Sequence, residues 1–275
     1  MTDSEVFWIC RTCAVEHARK VDVCAICADE RQWVPVEGQR WTTLDELETE
    51  GYRADLTELE PDLYGITTTP LAGIGQQAKL VRTHEGNLLW DPLGYVDADI
   101  AEQVLALGSV RAIVASHPHM FGVQVEWSRL LGGAPVLVAE ADAGWIARPD
   151  PVVELWSGDR EILPGVVLSQ SGGHFPGSAV AHWAAGVGGR GALLAGDTIA
   201  PNPDRTSVTF MRSFPNRIPM SAAVVRRVAD HVDRFAFERL YGNFDNVIDA
   251  DARAVVRRSA DRYIHWVSGD FDHLT

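Results

Sequence analysis

Cysteine stops early in this chain. Of 275 residues, the cysteines are Cys10, Cys13, Cys24 and Cys27, and none follows. A disulfide framework spread through the fold is therefore excluded. No apolar run approaches the roughly 18 residues of a membrane span, so no membrane partner is expected. Basic charge is also short. The 24 Lys and Arg residues face 38 Asp and Glu residues, for a net charge of −14. Such a surface repels phosphate backbones, which argues against nucleic acid as a partner. The opening MTDSEVFWIC lacks the basic start and apolar run of an export signal, and a soluble cytoplasmic protein is the expectation. Repeats and low-complexity segments are missing too. What remains is an ordinary globular balance, 46% hydrophobic and 23% charged, long enough for one large domain and a small appendage.

The four cysteines form C-x2-C-x10-C-x2-C. Each C-x2-C pair turns two thiolates toward one point, and two pairs complete a tetrahedron. Cytosolic chains rarely use disulfides, so a bound metal is the reading, zinc before a rubredoxin-like iron. A closed four-thiolate site leaves no position for substrate, so its role is structural: metal binding holds a fragment too small for its own core. His17, between the pairs, is read as a surface residue. Trp33 and Trp41 look like anchors onto the rest of the chain, and Thr42 to Glu46 looks like a capped helix start. Residues 1–45 are thus expected as an N-terminal zinc-knuckle appendage and 46–275 as the main domain.

The main part alternates strands and helices. Lys79–Asp91 predicts a hairpin around Glu85-Gly86-Asn87. Apolar runs at 110–116, 135–140, 166–171, 179–185, 191–196 and 239–244 predict strands. Helical patterns cover Asp97–Leu107, Val123–Leu131, Ala222–Phe235 and Ala250–Val267. The arrangement argues for a sheet-rich α/β (α+β) sandwich. The segment 201–220, with four prolines, reads as a long loop of the kind that often carries function.

Chemistry-bearing residues sit where strands end. His117 and His119 follow an apolar strand in VASHPHMFG, and residues two apart can face one way. Neutral imidazole is the commonest transition-metal ligand. His174 lies in the glycine-rich turn QSGGHFPGS, and Asp197 ends the apolar strand of LLAGDT. His182, His84, His231, His265 and His273 do not fit the pattern and are read as packed or surface residues. Glu126 is read as a surface carboxylate, and Trp127 and Trp183 as core or pocket wall.

In order and spacing these motifs resemble the metallo-β-lactamase superfamily, which has an H-x-H-x-D-H motif after a strand, then a G-H-[ST]-P-G-S turn, then an apolar strand ending in G-D. Here they stand as SHPHMFG, GGHFPGS and LLAGDT, and the hairpin ending in Asp91 resembles the family's opening strands, so the resemblance covers roughly residues 65 to 250. It implies a four-layer αββα sandwich. It also implies a metal at His117, His119, His174 and Asp197, the aspartate being the residue that bridges two metals in the family. The second metal's ligands are not matched. Phe121 and Gly122 stand where the family has Asp and His, and near the late histidine position Asn243 is the nearest polar residue.

The reading that follows is a mononuclear metallo-hydrolase. One zinc, or another transition metal, would activate water against an ester, thioester, lactone or amide in a small-molecule substrate, with Asp197 as a ligand or as the catalytic residue that orients the water. Two alternatives stay open. One is a non-catalytic binding module with metal only at the cysteines. The other is a rubredoxin-like redox protein. Homo-oligomerisation is left open as well.

Overall fold

The computed structural model describes residues 6–275. The chain begins with three short strands, β1 (Trp8–Cys10), β2 (Glu16–His17) and β3 (Trp41–Thr42), paired antiparallel in the order β2-β1-β3. A single helical turn, α1 (Ala25–Ala28), carries Cys27. Next comes α2 (Leu44–Thr49), whose first turn is capped by the Thr43 side chain accepting from the Glu46 amide.

Two sheets follow. The first holds seven strands in the order β10-β9-β8-β7-β6-β5-β4. They are β4 (Arg53–Glu60), β5 (Leu63–Thr69), β6 (Ala78–Thr83), β7 (Gly86–Trp90), β8 (Val110–Val114), β9 (Val136–Ala139) and β10 (Val153–Trp156). The second holds six, in the order β11-β12-β13-β14-β19-β20. Its first four are β11 (Asp159–Leu163), β12 (Val166–Gln170), β13 (Ala179–Trp183) and β14 (Ala192–Leu194). Between β14 and its parallel partner β19, the segment expected as one long loop forms two small ribbons instead. These are β15 (Ala200–Pro201) with β16 (Val208–Thr209), and β17 (Met211–Ser213) with β18 (Ile218–Pro219). β19 (Arg239–Tyr241) and β20 (Val247–Ile248) complete the sheet.

Side chains alternate between layers, as strand geometry requires. On β7 and β8, Leu88, Trp90, Ala112 and Val114 enter the space between the sheets, while Leu89, Val110 and Ile113 face the outer layer. That outer layer holds α3 (Ala98–Ala106) and α4 (Gln124–Leu130), and the knuckle's Ile9, Val15 and Ile26 join the same apolar cluster. Within the second sheet, β13 and β14 are joined through the short turn α5 (Gly186–Gly189). On its far face lie α6 (Ala222–Val232) and α7 (Ala252–Val267). In α6 the buried positions Val225, Val228, Ala229 and Val232 recur at three- and four-residue spacing, the stripe of a helix on a sheet. The layers are therefore αββα, with the knuckle on the first helical side. No helix among the described residues is long and apolar enough to cross a membrane.

Candidate metal centre

The four cysteine thiols converge and are buried. Cys10 and Cys27 Sγ are 3.6 Å apart, and Cys13 and Cys24 Sγ are 3.8 Å apart. A tetrahedron of metal–sulfur bonds near 2.3 Å has edges of about 3.8 Å, so the thiols are already spaced for an ion. Hydrogen bonding from Cys10, Cys13 and Cys27 holds Cys24 far below the ordinary thiol range, while the bond to Cys10 pushes Cys27 up. The Gln39 amide, which sequence reasoning missed, donates to Cys10 Sγ at 3.1 Å and accepts from the Cys24 N–H at 3.0 Å. His17 is not the surface residue expected. It is buried on β2, with Nε2 3.4 Å from Cys24 Sγ and its ring edge-on to Trp41. The short β1-β2 pairing carries it inward, because Trp8 lies opposite it and Glu16 beside it is buried against the main domain.

The second cluster forms where strands of both sheets end. β8 runs through Ser116 into His117, whose backbone is still extended, and a 3-10 turn (Pro118–Met120) then presents His119. His174 comes from the loop between β12 and β13, and Asp197 lies just past β14. One donor atom from each of the four lies within 4.8 Å of the others. His119 Nδ1 is 3.4 Å from His174 Nε2, and His117 Nε2 is 3.5 Å from Asp197 Oδ2. Bonds near 2.1 Å give tetrahedral edges of about 3.4 Å, which these two separations match. His117 Nε2 and His119 Nε2 are buried without a hydrogen-bond partner among the described residues. An ion at the cluster would complete His117 Nε2, which faces Asp197; His119 Nε2 is the ring nitrogen other than Nδ1, the atom beside His174.

The surroundings set each ligand's orientation and charge. His174 Nδ1–H donates to the Met211 carbonyl at 2.9 Å, which leaves the Nε2 lone pair facing the cluster. The 201–220 segment thus aims a ligand. His117 Nδ1 is 2.9 Å from Ser116 Oγ. Burial, with His117 beside it, pulls His174 down to about 4 and His119 well below the usual histidine range, so both are neutral near pH 7. Burial pushes Asp197 up, but His117 and His174 outweigh it and leave the carboxylate below its ordinary value. Behind His117 lies Asp91, which accepts from the Ser116 N–H at 2.6 Å. Burial lifts Asp91 to about 6, against its bonds to Ser116. Lys79, also fully buried, donates to the carbonyls of Gln77 and Gly242 at 3.0 and 3.2 Å. Gly196 is needed here, because its φ is +58° and a Cβ would meet Ser116 Oγ at 2.6 Å.

The positions at which the resemblance expects further ligands, 121 and 122, carry no ligating side chain. Phe121 is buried, and Gly122 has φ +53° with the carbonyls of Leu93 and Pro92 where a Cβ would go. Asn243 is buried with both side-chain amide atoms unpaired.

The histidine cluster opens into a cavity of about 200 Å³. His119, His174 and Asp197 form one side, and Phe214, Pro215, Phe244 and Ile74 supply apolar wall. The remaining lining is Arg31, Gln32 and Trp33, from the segment just past the last cysteine. Trp33 is therefore cavity wall and partly exposed, not a buried anchor, whereas Trp41 packs on the shared core. A larger cleft of about 980 Å³ lies at the other end of the strands, against Trp183, Arg111 and Arg239, away from both metal-capable clusters. Glu126 lies outside the cavity lining and pairs with Arg129 and Arg148. Trp127 is core, and His182 stacks on Phe235.

Over 272 residues the sequence is 41% identical to the uncharacterized protein YmaE of Bacillus subtilis (strain 168), covering 97% of this chain and 99% of that one. The chain belongs to the YmaE family. No protein-family model matches it. Solved structures extend the fold. VMB-1 superposes with TM-score 0.58 at 12% identity, covering 78% of this chain and 98% of that chain. The DIM-1 metallo-β-lactamase gives 0.57 at 10% identity, covering 77% and 97%. The FIM-1 metallo-β-lactamase from Pseudomonas aeruginosa, in its mono-zinc form, gives 0.55 at 16% identity, covering 76% and 95%. The YmaE-family chain described here thus has the metallo-β-lactamase fold, with a four-cysteine cluster at its N-terminus and a His/Asp cluster capable of holding metal.

Proposed function

We propose that this protein is a metal-dependent hydrolase with one zinc held by His117, His119 and His174 and a water position beside Asp197, acting on an ester, thioester, lactone or amide in a small molecule. The observation that carries it is the convergence of three imidazoles and one carboxylate on one point at a cavity. A zinc ion bound there would supply a Lewis acid and lower the pKa of a water it holds. The protein's own part is positioning. Met211 and Ser116 fix the ring orientations of His174 and His117. Asp197 Oδ2, ionised beside them, accepts a hydrogen bond from the attacking water and orients it. Phe214, Phe244 and Trp33 hold the apolar part of the substrate and limit water in the cavity. The cysteine cluster is read as a second, structural zinc site in the 1–45 appendage, kept reduced in the cytoplasm. That one relative of the fold has a mono-zinc form supports the stoichiometry.

The test counts metal per chain and assays hydrolysis together. Two equivalents are expected, one of which disappears in His117→Ala and His174→Ala along with turnover of activated esters, thioesters and lactones. The lack of a ligating side chain at Phe121 and Gly122 favours a second reading, a non-catalytic binding module. One equivalent of metal, unchanged by the histidine substitutions, and no turnover would establish that reading instead. A red iron–thiolate spectrum would point to the redox alternative.

A further inference from the structure

Arg31 is the only cation among the side chains lining the cavity, and it sits there under tight constraint. Its side chain is buried, and its guanidinium stacks on Phe175 at 4.1 Å. Nε donates to the His174 carbonyl at 2.8 Å, and Nη1 donates to Asp29 Oδ1 at 2.7 Å. Nη2 has no partner among the described residues, although a guanidinium carries five donors. Beside it, Gln32 is 5% exposed, and its Oε1 is buried and unpaired. The contacts of Arg31 fix the guanidinium and leave the two N–H donors of Nη2 for a group that enters the cavity. The rest of the wall is aromatic and apolar: Trp33, Phe214, Phe244 and Ile74.

We infer that Arg31 forms a carboxylate-recognition subsite, so that the substrate is a small acyl compound carrying a carboxylate and an apolar body. Arg31 Nη2 donates to the carboxylate, and the aromatic wall receives its hydrocarbon part. This names the substrate class for the site proposed above and rests on that reading. In a guanidinium fixed this way beside an apolar wall, the charge-assisted bond is strong and directional. Arg31 therefore determines specificity from outside the reacting centre. Its supporting contacts place it on His174, so the carboxylate is read next to the metal-capable cluster.

The experiment uses the full-length chain with the cysteine metal retained and the histidine site emptied by brief EDTA dialysis, checked by elemental analysis. 3-Phenylpropanoate and its neutral analogue 3-phenylpropanamide are titrated by calorimetry. The carboxylate is expected to bind about tenfold tighter or more. Arg31→Met should erase that preference while amide binding persists, and Arg31→Lys should restore part of it. A purely structural arginine would lower both affinities alike. Equal binding of the two probes by the unaltered chain, no measurable carboxylate binding, or a preference that survives Arg31→Met overturns the inference. Should Arg31→Met fail to fold, the ratio in the unaltered chain and in Arg31→Lys decides. Because the titration needs no turnover, a hydrolase that fails in the metal and esterase assay is distinguishable from a subsite that fails here.

Discussion

The two metal-capable clusters are built on opposite plans. The cysteines come from one short segment, Cys10 to Cys27, with all four thiols buried. The histidines and Asp197 come from three separate strand ends, 117 to 197, and one side of the cluster faces a cavity. The first set is shaped to enclose an ion, the second to leave one facing the cavity. The difference teaches what each can do: a closed thiolate cage can hold structure together, and only the open set leaves a position for a substrate. The regions are also joined. The Glu16 N–H donates to the Gly122 carbonyl, Glu16 pairs with Arg148 at 2.6 Å, and Asn216 donates to the carbonyls of Glu30 and Gln32.

The comparison is broken most severely at the cysteines. Cys24→Ser should remove one metal equivalent and unfold the N-terminal segment, with a loss on the order of 10 kcal/mol of metal-binding free energy. Limited proteolysis reads this as new cleavage before residue 45. Intact protection would show that the shared core holds the segment without its ion. His117→Ala is expected to do the reverse. It should lower hydrolytic turnover by about 10³-fold, near 4 kcal/mol, with the melting temperature little changed. Unfolding on that substitution would erase the distinction between the two plans.

Smaller effects sharpen the contrast. Gly122→Ala places a Cβ against the Leu93 and Pro92 carbonyls at φ +53°, so denaturant titration should show a loss of about 3 kcal/mol. Asp91 gives the mildest and most diagnostic change. Its folded carboxyl sits near 6 against an ordinary 3.8, so its contribution to stability is complete below about pH 4 and fades as pH rises through 6. Asp91→Asn should flatten this slope, raising stability near pH 7 by about 2 kcal/mol relative to the parent and not at pH 4. An unchanged pH profile of melting temperature would show that Asp91 titrates normally.

The sequence was most legible where chemistry is local. Spacing alone found Cys10, Cys13, Cys24 and Cys27, and strand-end position with the family resemblance found His117, His119, His174 and Asp197. Strands with buried faces were also readable, as in the hairpin that became β6 and β7. The pair β4 and β5 was not read. The edge strand β4 alternates poorly and carries Arg53, Asp55 and Glu58, charges that guard an exposed sheet edge and mask its period. Arg31 and Gln32 left no signal either. They look like ordinary loop residues until the chain brings Arg31 to His174, 143 positions away. His17 misled for the same reason: four sulfurs seemed sufficient, and nothing local showed that a fifth side chain would be folded against them.

The backbone at Gly122 leaves no room for any side chain. A histidine there would collide with the chain itself, at the carbonyls of Leu93 and Pro92. Placing a ligand at this position would require the neighbouring loop to move first, so an ion site engineered here is a backbone problem before it is a side-chain problem.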